Sequence, residues 1–387
     1  MSDNIYEVLV VGGGIGGSAA ALRSAQYNLS TAWVRGTKKT AKASRGQYVF
    51  NIDNMIGVHP DLMLEKVKAT LKGPEFEAAR EKLSEQDWHV GTLEISENVL
   101  ARIHEEHATW VDVIDEKAVE AGRDGDLFTL KLDDGRELRA KNLVVSTGVM
   151  DRQPSVKKEL KSGKVLDDPR WIYPYANYER LLYCIRCEGH LTRDLRTSII
   201  GVGEGAAQLA MMLHERYGTL VTILTNGAEL GAKEDSTKLL ELYGIEVKTS
   251  RIVDIYDVAE GAGEPEKRAK KGTELHGFLL EDGSRVEARY GLVALGLFKV
   301  YNELPRQLEA ELEEGDKPVE EKHVLVEDHS SETSVRGLFT VGDMSKRRDG
   351  GPLMKQVYTA QEYAVRAVDT IDRRRRSAQR SALLGKD

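Results

Sequence analysis

Apolar positions along this chain gather in short uninterrupted runs that lead into glycine-rich loops and then into segments of helical character, and the order occurs twice. The mainly apolar stretch from Tyr6 to Val11 leads into Gly12, Gly13, Gly14, Ile15, Gly16 and Gly17, and then into an alanine-rich segment. That pattern predicts a buried strand, a tight loop and a helix. Further on, Ser198, Ile199 and Ile200 lead into Gly201, Val202, Gly203, Glu204, Gly205 and Ala206, with a helix predicted over 208–214 and a strand over 221–224. Each unit then shows an Asp-Gly hairpin signal, Asp134-Gly135 and Asp282-Gly283, flanked by alternating apolar residues. Each closes on a buried strand: Leu143-Val144-Val145-Ser146-Thr147-Gly148 in the first and Leu292-Val293-Ala294-Leu295-Gly296 in the second. An acidic segment over 309–321, an apolar strand over 338–341 ending in Gly342-Asp343, and an amphipathic helix from about Val357 complete the pattern. The helix ends in four arginines, 373–376, where cations suit the negative end of its dipole.

Two halves that repeat in outline imply two similar nucleotide-binding domains of α/β type. The length of 387 residues agrees, because it exceeds the roughly 250 to 300 residues that one core supports. With 41% hydrophobic and 30% charged residues the chain has the balance of an ordinary soluble enzyme. No apolar run approaches the ~18 residues of a spanning helix, and the N-terminus shows no signal pattern, so a cytoplasmic location and no membrane partner are expected. A net charge of −8 argues against nucleic acid, whose phosphates call for a basic footprint.

The only two cysteines, Cys184 and Cys187, sit three positions apart, which excludes a structural disulfide framework. A C-x-x-C pair lets one sulfur attack and the other resolve, through a mixed disulfide. Two inert buried cysteines are the blander reading. No metal is expected: zinc would want four ligands, haem attachment a histidine where Glu188 stands, and His104-Glu105-Glu106-His107 misses the H-E-x-x-H spacing and reads as a solvated helix face. His190 could tune a thiolate, or be simply exposed.

Gly12, Gly14 and Gly17 fit G-x-G-x-x-G, in which backbone amides approach a pyrophosphate at a helix N-terminus. Four further blocks follow in order: Gly46-Gln47 with Asp53-Asn54; Ser146-Thr147-Gly148; Cys184-Ile185-Arg186-Cys187-Glu188-Gly189; and Phe339-Thr340-Val341-Gly342-Asp343 with Lys355-Gln356-Val357. With these the chain resembles the low-molecular-weight thioredoxin reductase family over nearly its whole length. The resemblance implies two Rossmann-like three-layer ββα domains of the FAD/NAD(P)-binding type. A discontinuous FAD domain would comprise 1–152 and 291–387, and a central domain, 153–290, would carry the C-x-x-C. It further implies that Gly12, Gly14 and Gly17 hold the FAD pyrophosphate and that Gln47 and Asn54 sit by the ribityl and isoalloxazine region. The closing block Thr147-Gly148 would belong to the FAD site, as would Gly342 with Asp343, whose carboxylate would take a ribityl hydroxyl. Gln356 and Val357 would offer amides near the flavin pyrimidine edge. Glu188 stands where the family has an aspartate that protonates a thiol. Arg35 departs from the acid that many dinucleotide folds place at the end of the second strand.

Gly201, Gly203 and Ala206 keep G-x-G-x-x-A, so a second nucleotide-type turn is expected. Where the resembled family carries arginines for the NADPH 2′-phosphate, this chain reads Leu224-Thr225-Asn226-Gly227-Ala228, with neither a guanidinium nor an acid. Weak or no use of a pyridine nucleotide is therefore expected, the alternative being an arginine from elsewhere such as Arg251. The chain then looks like the NADPH-independent branch, the ferredoxin-dependent and diflavin-linked disulfide oxidoreductases. Trp171, Tyr173, Tyr175, Tyr178 and Tyr183 precede the dithiol and could stack on a second FAD, although a core or dimer interface would use the same rings. Lys346-Arg347-Arg348 and the terminal arginines could dock an acidic ferredoxin, or be solvated surface.

The sequence thus predicts a homodimeric FAD disulfide oxidoreductase that passes electrons between flavin and Cys184-Cys187 and on to a thioredoxin-like protein or small disulfide. A dithiol oxidase, an NADPH thioredoxin reductase with an atypical nucleotide site and a non-catalytic flavin redox sensor are the competing readings.

Overall fold

Parallel pairing of the apolar runs organises the computed structural model, which describes residues 4–52, 54–58, 73–75, 77–78, 90–256, 272–351 and 354–385. Two compact units divide the chain, one of Met1–Met150 with Leu297–Asp387 and one of Asp151–Gly296. In the first, the strand Ile5–Val11 lies between Thr31–Val34 and Glu137–Val145, parallel to both. Val111–Ile114 extends the sheet beyond Thr31–Val34, and Leu338–Thr340 pairs in parallel with the end of Glu137–Val145. The antiparallel strands Ala118–Asp124 and Leu127–Leu132 continue it, with the predicted Asp134-Gly135 turn between Leu127–Leu132 and Glu137–Val145.

The strands that lie within the sheet are buried on both faces, which explains their continuous apolar runs. On one face Val8, Val10, Trp33 and Val144 meet the alanine-rich side of helix Ile15–Gln26, Ile103 of helix Thr92–Glu106, and Ala364 and Val368 of helix Val357–Leu383. On the other, Leu9, Val11, Leu143 and Val145 pack with Phe128, Leu130 and Leu304. His104 and Glu105 are exposed on Thr92–Glu106, as a solvated helix face requires, and His107 caps that helix.

The second unit repeats the plan. Its parallel sheet runs in the order Leu181–Leu182, Tyr290–Ala294, Arg196–Gly201, Leu220–Leu224, Glu246–Lys248. Ala206, Ala207 and Ala210 of helix Gly203–Tyr217 pack on Ile199, Ile223 and Leu292. A three-stranded antiparallel sheet, Ile252–Tyr256, Gly277–Leu280 and Arg285–Glu287, carries the predicted Asp282-Gly283 turn. The second boundary between units lies at 296 rather than the 290 expected from sequence, because Tyr290–Ala294 is hydrogen-bonded along Arg196–Gly201 and cannot be separated from that sheet. None of the helices among the described residues is long and apolar enough to cross a membrane.

One polar cluster is buried in the first unit. The Glu313 carboxylate accepts from His323 Nδ1 at 2.8 Å, from the His323 backbone amide at 3.2 Å, and from Lys346 and Lys317 Nζ at 2.9 and 3.2 Å. Burial opposes its charge, but these donors outweigh it and hold the carboxyl well below the usual carboxylate range. His323 is 2% exposed and its Nε2 has no hydrogen-bond partner. Protonation would place a charged N–H there without an acceptor, so burial, together with the field of Lys355, pushes its pKa down from 6.5 to about 4, against the pull of Glu313.

A folded pKa below the unfolded one means that the unfolded chain takes up this proton first as pH falls. The contribution is complete above 6.5 and is lost as pH falls from 6.5 through about 4. We expect a loss of about 1 to 3 kcal/mol over that window in urea unfolding. The decline should be shallower in His323→Gln, which keeps a donor for Glu313 but does not titrate.

Candidate functional site

Each unit carries a glycine loop where its first parallel strand passes into a helix. In the first unit the backbone is pressed close: a methyl group on Gly17 would collide with the Gly12 carbonyl, and one on Gly12 with the Ser146 carbonyl. Gly12 also has φ +122, and its carbonyl accepts from the Trp33 indole at 2.9 Å. Gly14 differs, since a methyl there would point into open space. The helix that starts after Gly14 has neither a side-chain cap nor an acid in its first turn, so its leading amides face that space with nothing negative beside them. Such a cradle fits a pyrophosphate, and the residues around it fit the rest of FAD.

Thr147 Oγ1 donates to the Tyr301 carbonyl at 2.6 Å, and the Tyr301 amide donates to the Gly148 carbonyl at 3.0 Å, which fixes the end of the closing strand. Asp343 follows Leu338–Thr340 on the turn Gly342–Met344, and its Oδ2 accepts from Arg45 Nη1 at 2.9 Å. Arg45 opens the short turn Arg45–Tyr48 that carries Gln47, and Thr92 Oγ1 anchors that turn through the Gly46 carbonyl. Asn54 Nδ2 donates to Gln356 Oε1 at 2.6 Å, and Gln356 caps the helix that begins at Val357. The fold therefore connects Gln47 with Asp343 by way of Arg45, and Asn54 with Gln356. Asp53 lies outside the described residues. Arg45 was missed by sequence reasoning, although its place next to Gly46-Gln47 marks it. Arg35 is taken up locally by Glu97 at 2.5 Å and by the Trp33 ring at 5.1 Å.

In the second unit Cys184 and Cys187 are joined in a disulfide with Cα atoms 5.3 Å apart. The pair frames a single helical turn, Ile185–Glu188, with Cys184 at its start. The Cys187 amide donates to Cys184 Sγ at 3.2 Å, and Glu188 Oε2 accepts from the Tyr183 and Cys184 amides at 3.0 and 3.2 Å. Both cysteines are half-buried, as an exchanging pair requires. Glu188 is thus held next to Cys184 and braces the turn as well. His190 is exposed beyond it.

The second loop, with Gly201, Gly203 and Ala206, opens helix Gly203–Tyr217. Glu204 in its first turn reaches sideways, accepting from the Lys233 amide at 3.0 Å and from Ser236 and Gln208 at 2.8 Å. Those donors, the Lys233 amide foremost, lower its pKa. At the end of Leu220–Leu224, Thr225 Oγ1 donates to the Ala228 carbonyl, and the Asn226 amide group bridges the Ser155 carbonyl and the Ile252 amide. Neither side chain can grip a nucleotide without giving up a loop contact. Arg251, however, lays its side chain over Gly227, so a guanidinium does stand at this strand end, contrary to the expectation read from Leu224 through Ala228.

Two other expectations are corrected by packing. Tyr175 is buried in the core of the second unit, with Trp171, Tyr173 and Tyr183 packed against that core, Trp171 Nε1 on the Pro154 carbonyl and Tyr183 Oη on Gln153. These rings build the unit's interior rather than a stacking platform. The basic run is neutralised in place: Lys346 pairs with Glu313, Arg347 with Glu362, and Arg348 with Glu311 and Glu327. Arg374 and Arg376 are likewise paired, with Glu332 and Asp372.

Fold and site together define a class, a two-Rossmann redox protein with a nucleotide loop in each unit and a disulfide in the second. Residues 6–364 match the pyridine nucleotide-disulphide oxidoreductase family, and the chain belongs to it. This is an FAD-binding family, and the chain is a flavin disulfide oxidoreductase. It is 26% identical to a subunit of alkyl hydroperoxide reductase in Xanthomonas campestris pv. phaseoli, over 87% of this chain and 52% of that protein. The chain spans about half the length of such relatives. It is 24% identical to thioredoxin reductase of Peptoclostridium litorale, over 92% of this chain and 93% of that one. The structure of thioredoxin reductase from Streptococcus pyogenes MGAS5005 shares the fold with a TM-score of 0.69 at 19% identity, covering 97% of this chain and 100% of that one.

Two substitutions separate cradle from scaffold. Gly14→Ala, at φ −83, should fold normally by circular dichroism yet retain much less FAD, because its methyl enters the open space. Gly17→Ala should lower thermal stability by several degrees as well as flavin content, read from the ratio of flavin to protein absorbance.

Proposed function

We propose that this chain moves electron pairs from a pyridine nucleotide to an external disulfide by way of FAD and the Cys184–Cys187 pair. The observation that carries the reading is the bonded cysteine pair on a turn braced by Glu188, in a unit that also presents a nucleotide loop. Bound FAD supplies the two-electron chemistry that couples hydride from a nicotinamide to reduction of a disulfide. The Gly12–Gly14–Gly17 cradle holds its pyrophosphate, while Asp343, with Arg45 beside it, and the Asn54–Gln356 pair position its ribityl and ring region.

The dithiol then completes a thiol–disulfide exchange. One cysteine thiolate attacks a sulfur of the external disulfide and forms a mixed disulfide, and the partner's other sulfur leaves as a thiolate that takes a proton. The second cysteine then attacks the first, which restores Cys184–Cys187 and releases the partner as a dithiol. Glu188 provides the proton acceptor and donor beside Cys184. The names of the relatives, thioredoxin reductase and alkyl hydroperoxide reductase, support a thioredoxin-like or peroxide-reducing dithiol protein as acceptor. A homodimer in the cytoplasm is the setting we propose.

A direct donor such as ferredoxin is the second reading, favoured by the lack of any cation within the strand end Thr225 to Ala228 itself. Anaerobic stopped-flow mixing decides between them. Flavin bleaching by NADPH or NADH is expected. Absence of bleaching with both, alongside fast reduction by reduced ferredoxin, would reassign the donor. One FAD per chain, unchanged by added FAD, is the expected stoichiometry, and two would point to a second flavin.

Cys187→Ser should abolish disulfide turnover while leaving flavin content intact. Glu188→Gln keeps an oxygen for the two amides but carries no proton, so it should slow turnover by roughly 10²-fold or more at unchanged melting temperature. Glu188→Ala should lower both, since it also leaves two amides unmet. Equal turnover in wild type and Glu188→Gln would remove the proton-transfer role.

A further inference from the structure

We infer that Arg251 is the residue by which the second nucleotide loop recognises a 2′-phosphate, making the protein selective for NADPH over NADH. The inference rests on the proposed use of a pyridine nucleotide and adds its specificity.

In a Rossmann unit the adenosine ribose meets the end of the strand that follows the glycine-loop helix. A carboxylate there takes the ribose hydroxyls of NADH, and an arginine nearby accommodates the phosphate of NADPH. Here that strand is Leu220–Leu224, and Thr225, Asn226, Gly227 and Ala228 follow it without an acid. Asn226 and Gly227 turn sharply, with φ +53 and +94. The turn is pinned to the next strand by hydrogen bonds from the Thr225 amide to the Lys248 carbonyl at 3.0 Å and from the Gly227 amide to the Thr249 carbonyl at 2.8 Å.

Arg251 enters this turn from beyond Glu246–Lys248. Its Cγ and Nε lie 2.7 and 3.0 Å from where a β-carbon on Gly227 would stand, so the arginine occupies the place of a side chain at that position. Two features keep it there. The Asn226 side-chain oxygen accepts from the Ile252 amide at 2.9 Å, and the Arg251 carbonyl accepts from the Glu281 amide at 2.8 Å. Arg251 is exposed, and among the described residues no carboxylate lies within ion-pair distance of it. The other cation at this edge, Lys248, pairs with Glu246 at 2.8 Å. Glu229, two residues past Gly227, is exposed and does not pair with Arg251. Arg251 is thus a preorganised planar cation without a carboxylate partner, matched to a phosphate monoester and indifferent to a ribose hydroxyl.

Calorimetric titration of the FAD-loaded protein with NADP⁺ and NAD⁺ tests this without turnover. Wild type should bind NADP⁺ at least tenfold more tightly. Arg251→Ala should weaken NADP⁺ by about 10- to 100-fold and leave NAD⁺ unchanged. Gly227→Ala, whose methyl displaces the arginine, should shift the preference in the same direction, with circular dichroism confirming the fold. Arg251→Lys should restore part of it, and raised salt should weaken NADP⁺ more than NAD⁺. Equal binding of the two nucleotides by wild type, or an unchanged preference in Arg251→Ala, overturns the role of Arg251 while leaving nucleotide use standing. Binding of neither nucleotide overturns both.

Discussion

Everything in the first unit depends on how closely the glycine loop passes beneath the closing strand. Gly12 lies against the Ser146 carbonyl and Gly17 against Gly12, so no side chain fits at either point. That proximity brings the helix Ile15–Gln26 down onto the sheet. Alanines on its inner side let Val357–Leu383 pack close as well, and the leading amides are left aimed at the space beside Gly14. Binding capacity and core packing are therefore one constraint seen from two sides.

Much of this was legible in the sequence because it is written locally. Uninterrupted apolar runs such as 143–145 mark strands buried on both faces, a glycine loop directly after such a run marks its turn into a helix, and Asp-Gly marks a hairpin. The C-x-x-C pair was legible for the same reason, since three positions suffice to define it. What could not be read were pairings between distant segments. Nothing near Asp343 announces Arg45, and nothing after Leu224 announces Arg251, because a tertiary contact leaves no period along the chain.

The same limit explains the two clusters that suggested an unusual donor. Aromatic residues from Trp171 to Tyr183 read equally as a stacking surface or an interior, and only the position of the antiparallel sheet settles that they are interior. Lys346, Arg347 and Arg348 look unpaired in sequence, yet carboxylates from four separate segments meet them. A charge run says little about surface potential until its counterions are located.

The disulfide encloses only the residues between Cys184 and Cys187. On the chain-entropy account, so small a ring restricts the unfolded chain by about 2 kcal/mol, less than half of what a hundred-residue loop gives. Opening and closing the bond during turnover therefore perturbs the protein's resistance to denaturation only slightly. The enzyme can cycle between its two redox forms without approaching collapse in either, an advantage for a bond whose purpose is to be broken.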